Sequence, residues 1–231
     1  MLTAPELFDL NHTLAAPLLA RFRYPWEALD GLRDFLLALG PSLPEAEYAH
    51  PAPDVWIARR ASVHPSAVID GPCIIGPGTE IRPCAFIRGS VLAGEHTVIG
   101  NSTELKNCIL FDRAQAPHFN YVGDSILGFR AHLGAGAVTS NVKGDQTPVV
   151  IHGPEGPIPT GRRKLGAMVG DFGEIGCHGV LNPGTVLGRG VQVYPLCSVR
   201  GYVEPEQIWK GEGRVVPKDK GAACICRRGM L

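Results

Sequence analysis

Arg88 and Lys106 each follow an aliphatic residue, Ile87 and Leu105, and stand 18 positions apart. If the chain retraces its path every 18 residues, the two cations stack on neighbouring strands about 4.7 to 4.9 Å apart, which costs energy unless an anion lies between them. Phosphate suits that place, since Arg offers a bidentate fork and Lys a point charge. Two solvated surface cations are the alternative, and spacing alone favours neither. His118 is one of eight histidines; an imidazole, which ordinarily titrates at about 6.5, suits proton transfer near neutral pH, although a lone histidine is more often structural. Cys224 and Cys226 form the one paired thiol motif. They are two ligands short of a closed zinc site, and no metal is expected.

These residues meet only if the chain repeats, and a repeat is visible. Ile57, Val63, Ile69, Ile75, Ile81 and Ile87 fall every six residues, and Ala93, Ile99 and Leu105 continue the register. A second run, Val169, Ile175, Leu181, Leu187, Val193 and Val199, keeps the step, and Leu127, Leu133 and Thr139 share its phase. One phase slip and one excursion separate the blocks. A period of six suits neither a helix nor a simple strand, but it suits short strands joined by turns in a β-helix. Three such sides close a triangular coil of 18 residues with the aliphatic residue of each side pointing inward. Glycine often follows it, at Gly76, Gly100, Gly134, Gly170, Gly176 and Gly188, where corners are tight.

Composition fits a solenoid. Twenty-nine glycines and 20 prolines without a collagen period imply many turns. Lys+Arg and Asp+Glu each number 22, so no net charge draws nucleic acid or an anionic membrane, and neither partner is expected. The seven cysteines are odd in number and scattered, as in a reducing compartment. No secretion signal or membrane-spanning run is read, and a cytoplasmic location follows.

Residues 1–54 read as a helical N-terminal segment and connector. Thr3 and Glu6 have capping-box spacing, Leu7, Leu10, Leu14 and Leu18 form one stripe, and Trp26, Leu29, Leu32 and Leu36 form a second after Pro25. Gly40-Pro41 stops the second helix. Residues 55–205 are the β-helix, 206–231 a C-terminal tail. Residues 141–164 leave the repeat as an excursion in which Pro148 to His152 and Gly153 to Gly156 read as a short strand and a turn. Long excursions from rigid scaffolds often carry function.

Three blocks sharpen the reading: Gly100-Asn101-Ser102-Thr103-Glu104-Leu105-Lys106, then His118-Phe119-Asn120-Tyr121-Val122-Gly123-Asp124, then Gly134-Ala135-Gly136-Ala137-Val138-Thr139-Ser140-Asn141. In order and spacing they resemble the acetyltransferase domain of the bifunctional UDP-N-acetylglucosamine pyrophosphorylase/glucosamine-1-phosphate N-acetyltransferase. That resemblance, with hexads such as Ile75-Gly76-Pro77-Gly78-Thr79-Glu80, implies a mainly β fold, a left-handed parallel β-helix. It also implies an acetyl-CoA-dependent N-acyltransferase acting on an amino-sugar phosphate such as glucosamine-1-phosphate, and a homotrimer.

Carried over by position, the resemblance implies that His118 is the general base and that Arg88, Lys106 and Tyr121 hold the sugar phosphate. Asn141 falls near both substrate and coenzyme, Lys164 on the phosphate side, and Cys177 and Pro195 on the coenzyme side. His132 stands where the family has a substrate-contacting Asn, Val142 replaces an aromatic residue, and Cys177 replaces a Ser. These departures keep two other readings open. One is a non-catalytic trimeric sugar-nucleotide sensor. The other is a γ-type carbonic anhydrase, although no second His lies a few residues from His118. The pyrophosphorylase half of the bifunctional enzyme has no counterpart in this sequence.

Overall fold

The computed structural model describes residues 2–219; the Cys224/Cys226 pair lies outside the described residues. The chain winds into a left-handed parallel β-helix with three faces. The first face carries Val55–Ala58, Cys73–Ile75, Val91–Ala93, Ala167–Val169, Thr185–Leu187 and Tyr202–Val203. On the second lie Ser62–Val63, Glu80–Ile81, Val98–Asn101, Gln115–His118, His132–Leu133, Glu174–Ile175, Gln192–Val193 and Gln207–Trp209. The third has Val68–Asp70, Phe86–Arg88, Val138–Thr139, Val180–Leu181 and Ser198–Val199. Two longer strands, Glu104–Leu110 and Tyr121–Leu127, start on the third face and end on the first, joining those faces into one sheet.

Inward aliphatic residues stack through the coil as one dry column that includes Ile75, Ile81, Ile87, Leu105, Val122, Leu133, Ile175, Leu187 and Val199. The expected single phase slip resolves into two. Val55 pairs with Cys73 at a step of 18, but Val91 pairs with Cys108 and Cys108 with Ser125, each at a step of 17. A corner that takes two residues at Gly89-Ser90 takes one at Asn107 and one at Asp124. Both have φ 48°, a left-handed conformation that Asn and Asp tolerate better than other side chains.

Outward residues of the first face are also apolar. Ile74, Leu92, Ile109, Ile126, Met168 and Val186 form a second core with the N-terminal segment, with Val149 and Ile151 of the excursion and with Leu165 just past its root. The second apolar stripe is borne out, Trp26, Leu29, Leu32 and Leu36 being at most 2 % exposed. Pro25–Asp30 is a 3₁₀ turn and Leu32–Leu39 an α-helix. Gly40 follows that helix with ordinary helical angles, and its missing side chain has another cause: a Cβ there would sit 2.4 Å from the indole of Trp56.

The first stripe departs from expectation. Its helix is broken into Ala4–Leu7, a 3₁₀ turn at Leu10–His12, and Ala16–Leu19, and Leu14 is exposed. The Glu6 carboxylate does accept from the Thr3 amide and hydroxyl, the capping contact. Beyond it, side chains and the coil compete for the backbone. Asp9 accepts from the Asn11 amide, Thr13 from the Ala15 amide, and the buried carboxylate of Asp171 accepts from the Asp9 amide at 2.7 Å. The Asp171 amide in turn donates to Leu7 O.

The excursion is an antiparallel hairpin, Val150–Gly153 with Gly156–Pro159, closed at its root by a Val142–Lys164 bridge. Arg162 pins it to the N-terminal layer through Asp30 at 2.6 Å and Glu27 O at 3.2 Å. Antiparallel strands also close two sheet edges: Tyr48–Ala52 against Val55–Ala58, and Val215–Pro217 against Gln207–Trp209.

Ile109 is buried between the coil and the N-terminal layer. Ile109→Ala should lower stability by about 2–4 kcal/mol, read as a fall in urea midpoint at unchanged m-value. A change under about 0.5 kcal/mol would mean that the layer does not bury this face in solution.

Candidate active site

Arg88 and Lys106 stand on adjacent rungs of the third face, because Leu105 pairs with Ile87 and each cation comes next in its strand. Lys106 pairs onward with Gly123. The anions between them belong to the chain itself. Glu104, paired across from Phe86, accepts from Arg88 at 2.6 Å, and Asp124 lies 3.4 Å from Lys106 Nζ. The stacked cations therefore need no bound phosphate to coexist. The Arg88–Glu104 pair is open to water, where such bridges contribute little and are readily displaced.

Asp124 is the hub of this edge. Its side chain is 7 % exposed. Oδ1 accepts from Asn107 Nδ2 at 2.8 Å and faces Lys106, while Oδ2 accepts from Asn141 Nδ2 at 2.5 Å. Asn141 Nδ2 also reaches the Tyr121 hydroxyl at 3.2 Å. The Tyr121 ring lies over Gly123, where a Cβ would fall 2.4 Å from the hydroxyl, so glycine is what lets the phenol reach Asn141. Burial, then the charge of Asp124, pushes the Tyr121 phenol above its ordinary value, against the opposing bond from Asn141. Lys164 stands at the excursion root beside this group: Leu165 N donates to Asn141 O and Gly166 N to Asp124 O.

His118 occupies the opposite edge of the face, where the second face turns into the third. Its ring is exposed and forms no hydrogen bond among the described residues, but its backbone is fixed. The His118 amide donates to Asn120 Oδ1 at 3.0 Å, and Asn120 Nδ2 donates to Gly134 O and Ala137 O. Asn120 is buried and locks the corner between His118 and Tyr121. Phe119 between them has φ 52°, yet Cys84, Ser102, His178 and Leu196 share that conformation at the matching corners. The left-handed turn is therefore architectural and not a mark of catalysis.

Cys177 and Pro195 stand on the His118 edge. The amides of Gly136, His178 and Leu196 donate in turn to the carbonyls of His118, Ala135 and Cys177, so these residues climb one line. At about 4.8 Å per rung, Cys177 lies roughly 10 Å and Pro195 roughly 14 Å from His118. His132 is not part of either edge. It sits within the second face, pairs in register with Gln115 and Glu174, and its Nδ1 lies 3.1 Å from Glu174 Oε2. Val142 is exposed at the excursion root. Among the described residues, no three His, Cys, Asp or Glu side chains cluster to hold a metal.

Glu104, Asn120 and Asp124 were within the three sequence blocks but carried no assigned role. Their signal was position. Each is a polar residue one or two places from an inward aliphatic one, where stacking leaves only a neighbouring rung to satisfy it.

Gly123→Ala should leave the coil folded and push the Tyr121 ring away from Asn141. The phenol should then titrate closer to its ordinary value of 10.0. Tyrosine-selective carbon NMR, assigned with Tyr121→Phe, reads this directly. An unshifted titration would mean that the ring does not lie over Gly123.

Comparisons with known proteins extend these observations. The chain is 32% identical over 139 residues to a protein from Methanococcus maripaludis named bifunctional protein GlmU, covering 60% of this chain and 34% of that one. It is 30% identical over 179 residues to the protein of that name from Methanococcus aeolicus, covering 70% and 43%. A bifunctional sugar-1-phosphate nucleotidylyltransferase/acetyltransferase from Sulfurisphaera tokodaii is 33% identical over 125 residues, covering 53% and 31%. The chain thus spans less than half the length of these relatives. Among solved structures, a point mutant of AntD, an N-acyltransferase from Bacillus cereus in complex with dTDP and coenzyme A, aligns at 19% identity and a TM-score of 0.39, covering 73% of this chain and 83% of that one. The resemblance read from the three sequence blocks holds. A family model described as the GMPPB C-terminal domain matches residues 69–205, more than half of the chain, and the chain belongs to that family.

Proposed function

We propose that the third face is the acceptor platform of an acetyl-CoA-dependent N-acyltransferase acting on an amino-sugar phosphate such as glucosamine-1-phosphate. One observation carries the reading. Arg88, Lys106, Tyr121 and Asn141 lie on or beside a single face over neighbouring rungs, with His118 at its other edge. The relatives named bifunctional GlmU and sugar-1-phosphate nucleotidylyltransferase/acetyltransferase support the reaction class.

In this reading the acceptor's phosphate displaces Glu104 from Arg88 and shares Lys106 with Asp124, while Lys164 approaches from the excursion root. Tyr121 and Asn141, held by Asp124, position the sugar, and His132 is left to a contact outside the chain's own cluster. The pantetheine arm of acetyl-CoA lies along the line from His118 past Cys177 to Pro195, with Asn141 on the far side of the thioester. His118 takes a proton from the attacking amine nitrogen as the new C–N bond forms. The tetrahedral intermediate then expels coenzyme A as its thiol, the sulfur receiving a proton, and no bond to the enzyme is made. Alignment of amine and thioester supplies most of the acceleration, with general-base assistance contributing about 10²–10⁴-fold. A homotrimer would cover the bare apolar side chains beside this edge, Phe119 at 61% and Leu196 at 81% exposure.

The test is acetyl transfer from acetyl-CoA to a panel of amino-sugar phosphates, read by mass of the product, because exposed Cys84 and Cys177 would react with thiol reagents. His118→Ala should lower kcat by about 10²–10⁴-fold, and Lys106→Met should raise the acceptor KM more than it lowers kcat. Equal rates for wild type and His118→Ala would overturn the assignment. Light scattering on the purified chain should give three times its 24.7 kDa mass, and Phe119→Glu with Leu196→Glu should dissociate it; a monomeric wild type would remove the trimer from the reading.

A further inference from the structure

The third face continues past the proposed site. Register carries the row of Arg88 and Lys106 through Gly123, Ser140 and Asn182 to Arg200, since Val122 pairs with Thr139, Thr139 with Leu181 and Leu181 with Val199. Between the cations the row itself holds only Gly123, Ser140 and Asn182; the Tyr121 ring covers Gly123, and beyond it the short side chains leave a trough. It ends in a cleft of about 430 Å³ between the excursion and the coil. Ser140, Asn182 and Arg200 form one wall, and Val142, Lys143 and His152 of the excursion the other.

The charge in this cleft differs from that at the other end of the row. Arg88 and Lys106 are neutralised by Glu104 and Asp124, whereas Arg200 forms no ion pair or hydrogen bond among the described residues. Lys143 stands across from it, bound to Asp145 and Thr147 of its own turn. An unpaired guanidinium facing a concavity is a fork for phosphate or a plane on which a heterocycle stacks. Apolar Val142 and the exposed imidazole of His152 add surface suited to a flat ring. The excursion wall is pre-formed, being clamped by Arg162 to Asp30 and by Val149 and Ile151 in the N-terminal core, so little ordering is left for binding.

We propose that the cleft holds the nucleoside of a nucleoside diphosphate, and that the acceptor is a nucleotide-linked amino sugar. The inference rests on the acyl-transfer reading for the sugar end alone. From the Lys106 rung to the Arg200 rung is four steps, roughly 19 Å. A sugar monophosphate at Arg88 and Lys106 would leave this length empty. A diphosphate beginning at Lys106 passes beside the Tyr121 hydroxyl, which covers Gly123, runs over Ser140 and delivers its ribose and base to Asn182, Arg200 and His152.

Isothermal titration with UDP, dTDP and GDP, each alone, tests this, with inorganic phosphate and coenzyme A as comparison probes. At least one nucleotide should bind more than tenfold more tightly than phosphate, and Arg200→Ala should weaken it tenfold or more while His152→Ala weakens it less. Nucleotide binding indifferent to Arg200→Ala, or no nucleotide binding better than phosphate, overturns the proposal. So does a loss of coenzyme A binding in Arg200→Ala without loss of nucleotide binding, which would give the cleft to the acyl donor. Arg200-dependent nucleotide binding in a protein that acetylates nothing would uphold the cleft and refute acyl transfer. Wild-type transfer to glucosamine-1-phosphate with no nucleotide binding would do the reverse.

Discussion

A buried carboxylate at a one-residue corner joins the architecture of this protein to its polar chemistry. Asp124 turns the chain from the third face to the first without the extra residue used at Gly89-Ser90, and it adopts a left-handed φ to do so. Its side chain then collects Asn107 from the rung below, Asn141 from the rung above and the ammonium of Lys106. A carboxylate this deep would cost several kcal/mol without such partners. The groups that satisfy it are therefore fixed by the same requirement that fixes the coil, and Tyr121 is held through Asn141 at one remove. The excursion leaves and re-enters the coil here too, its returning strand donating from Gly166 to the Asp124 carbonyl.

The two edges of the third face are built on different principles. The Asp124 edge is a network of mutually satisfied polar groups, which makes it rigid and specific. At the His118 edge, Asn120 fixes the backbone from inside while the imidazole itself stays in water. In the proposed acyl-transfer reading, a side chain that accepts a proton and gives it up would benefit from solvent access, and side chains that orient a substrate from having few rotamers. The two edges can differ in this way because adjacent corners of a triangular coil are built separately.

How much of this was legible depended on whether the cause was local. The hexad period from Ile57 to Leu105 was readable because every side of the coil must send one aliphatic residue inward. The slips at Asn107 and Asp124 were not, since Leu110, Ala116 and Val122 sit at an intermediate phase too short to stand out. The coverage of the first face was available but unread: Cys73-Ile74-Ile75, Val91-Leu92-Ala93 and Ala167-Met168-Val169 place an apolar residue outward as well as inward. The broken N-terminal helix could not be read locally, because the acceptor that captures the Asp9 amide lies 162 residues away at Asp171. At the site, motif spacing located the cations and the imidazole. It did not supply Glu104 and Asp124 as their partners, a relation that exists only between rungs.

The antiparallel strands at Tyr48–Ala52 and Val215–Pro217 have a consequence for the molecule as an object in solution. A parallel coil whose rungs repeat is a template for its own elongation, with unpaired backbone groups at both ends inviting another copy to stack. A strand of reversed direction on the first face at one end, and on the second face at the other, presents the wrong hydrogen-bond pattern to an incoming rung. End-to-end fibre growth is thereby discouraged on those faces.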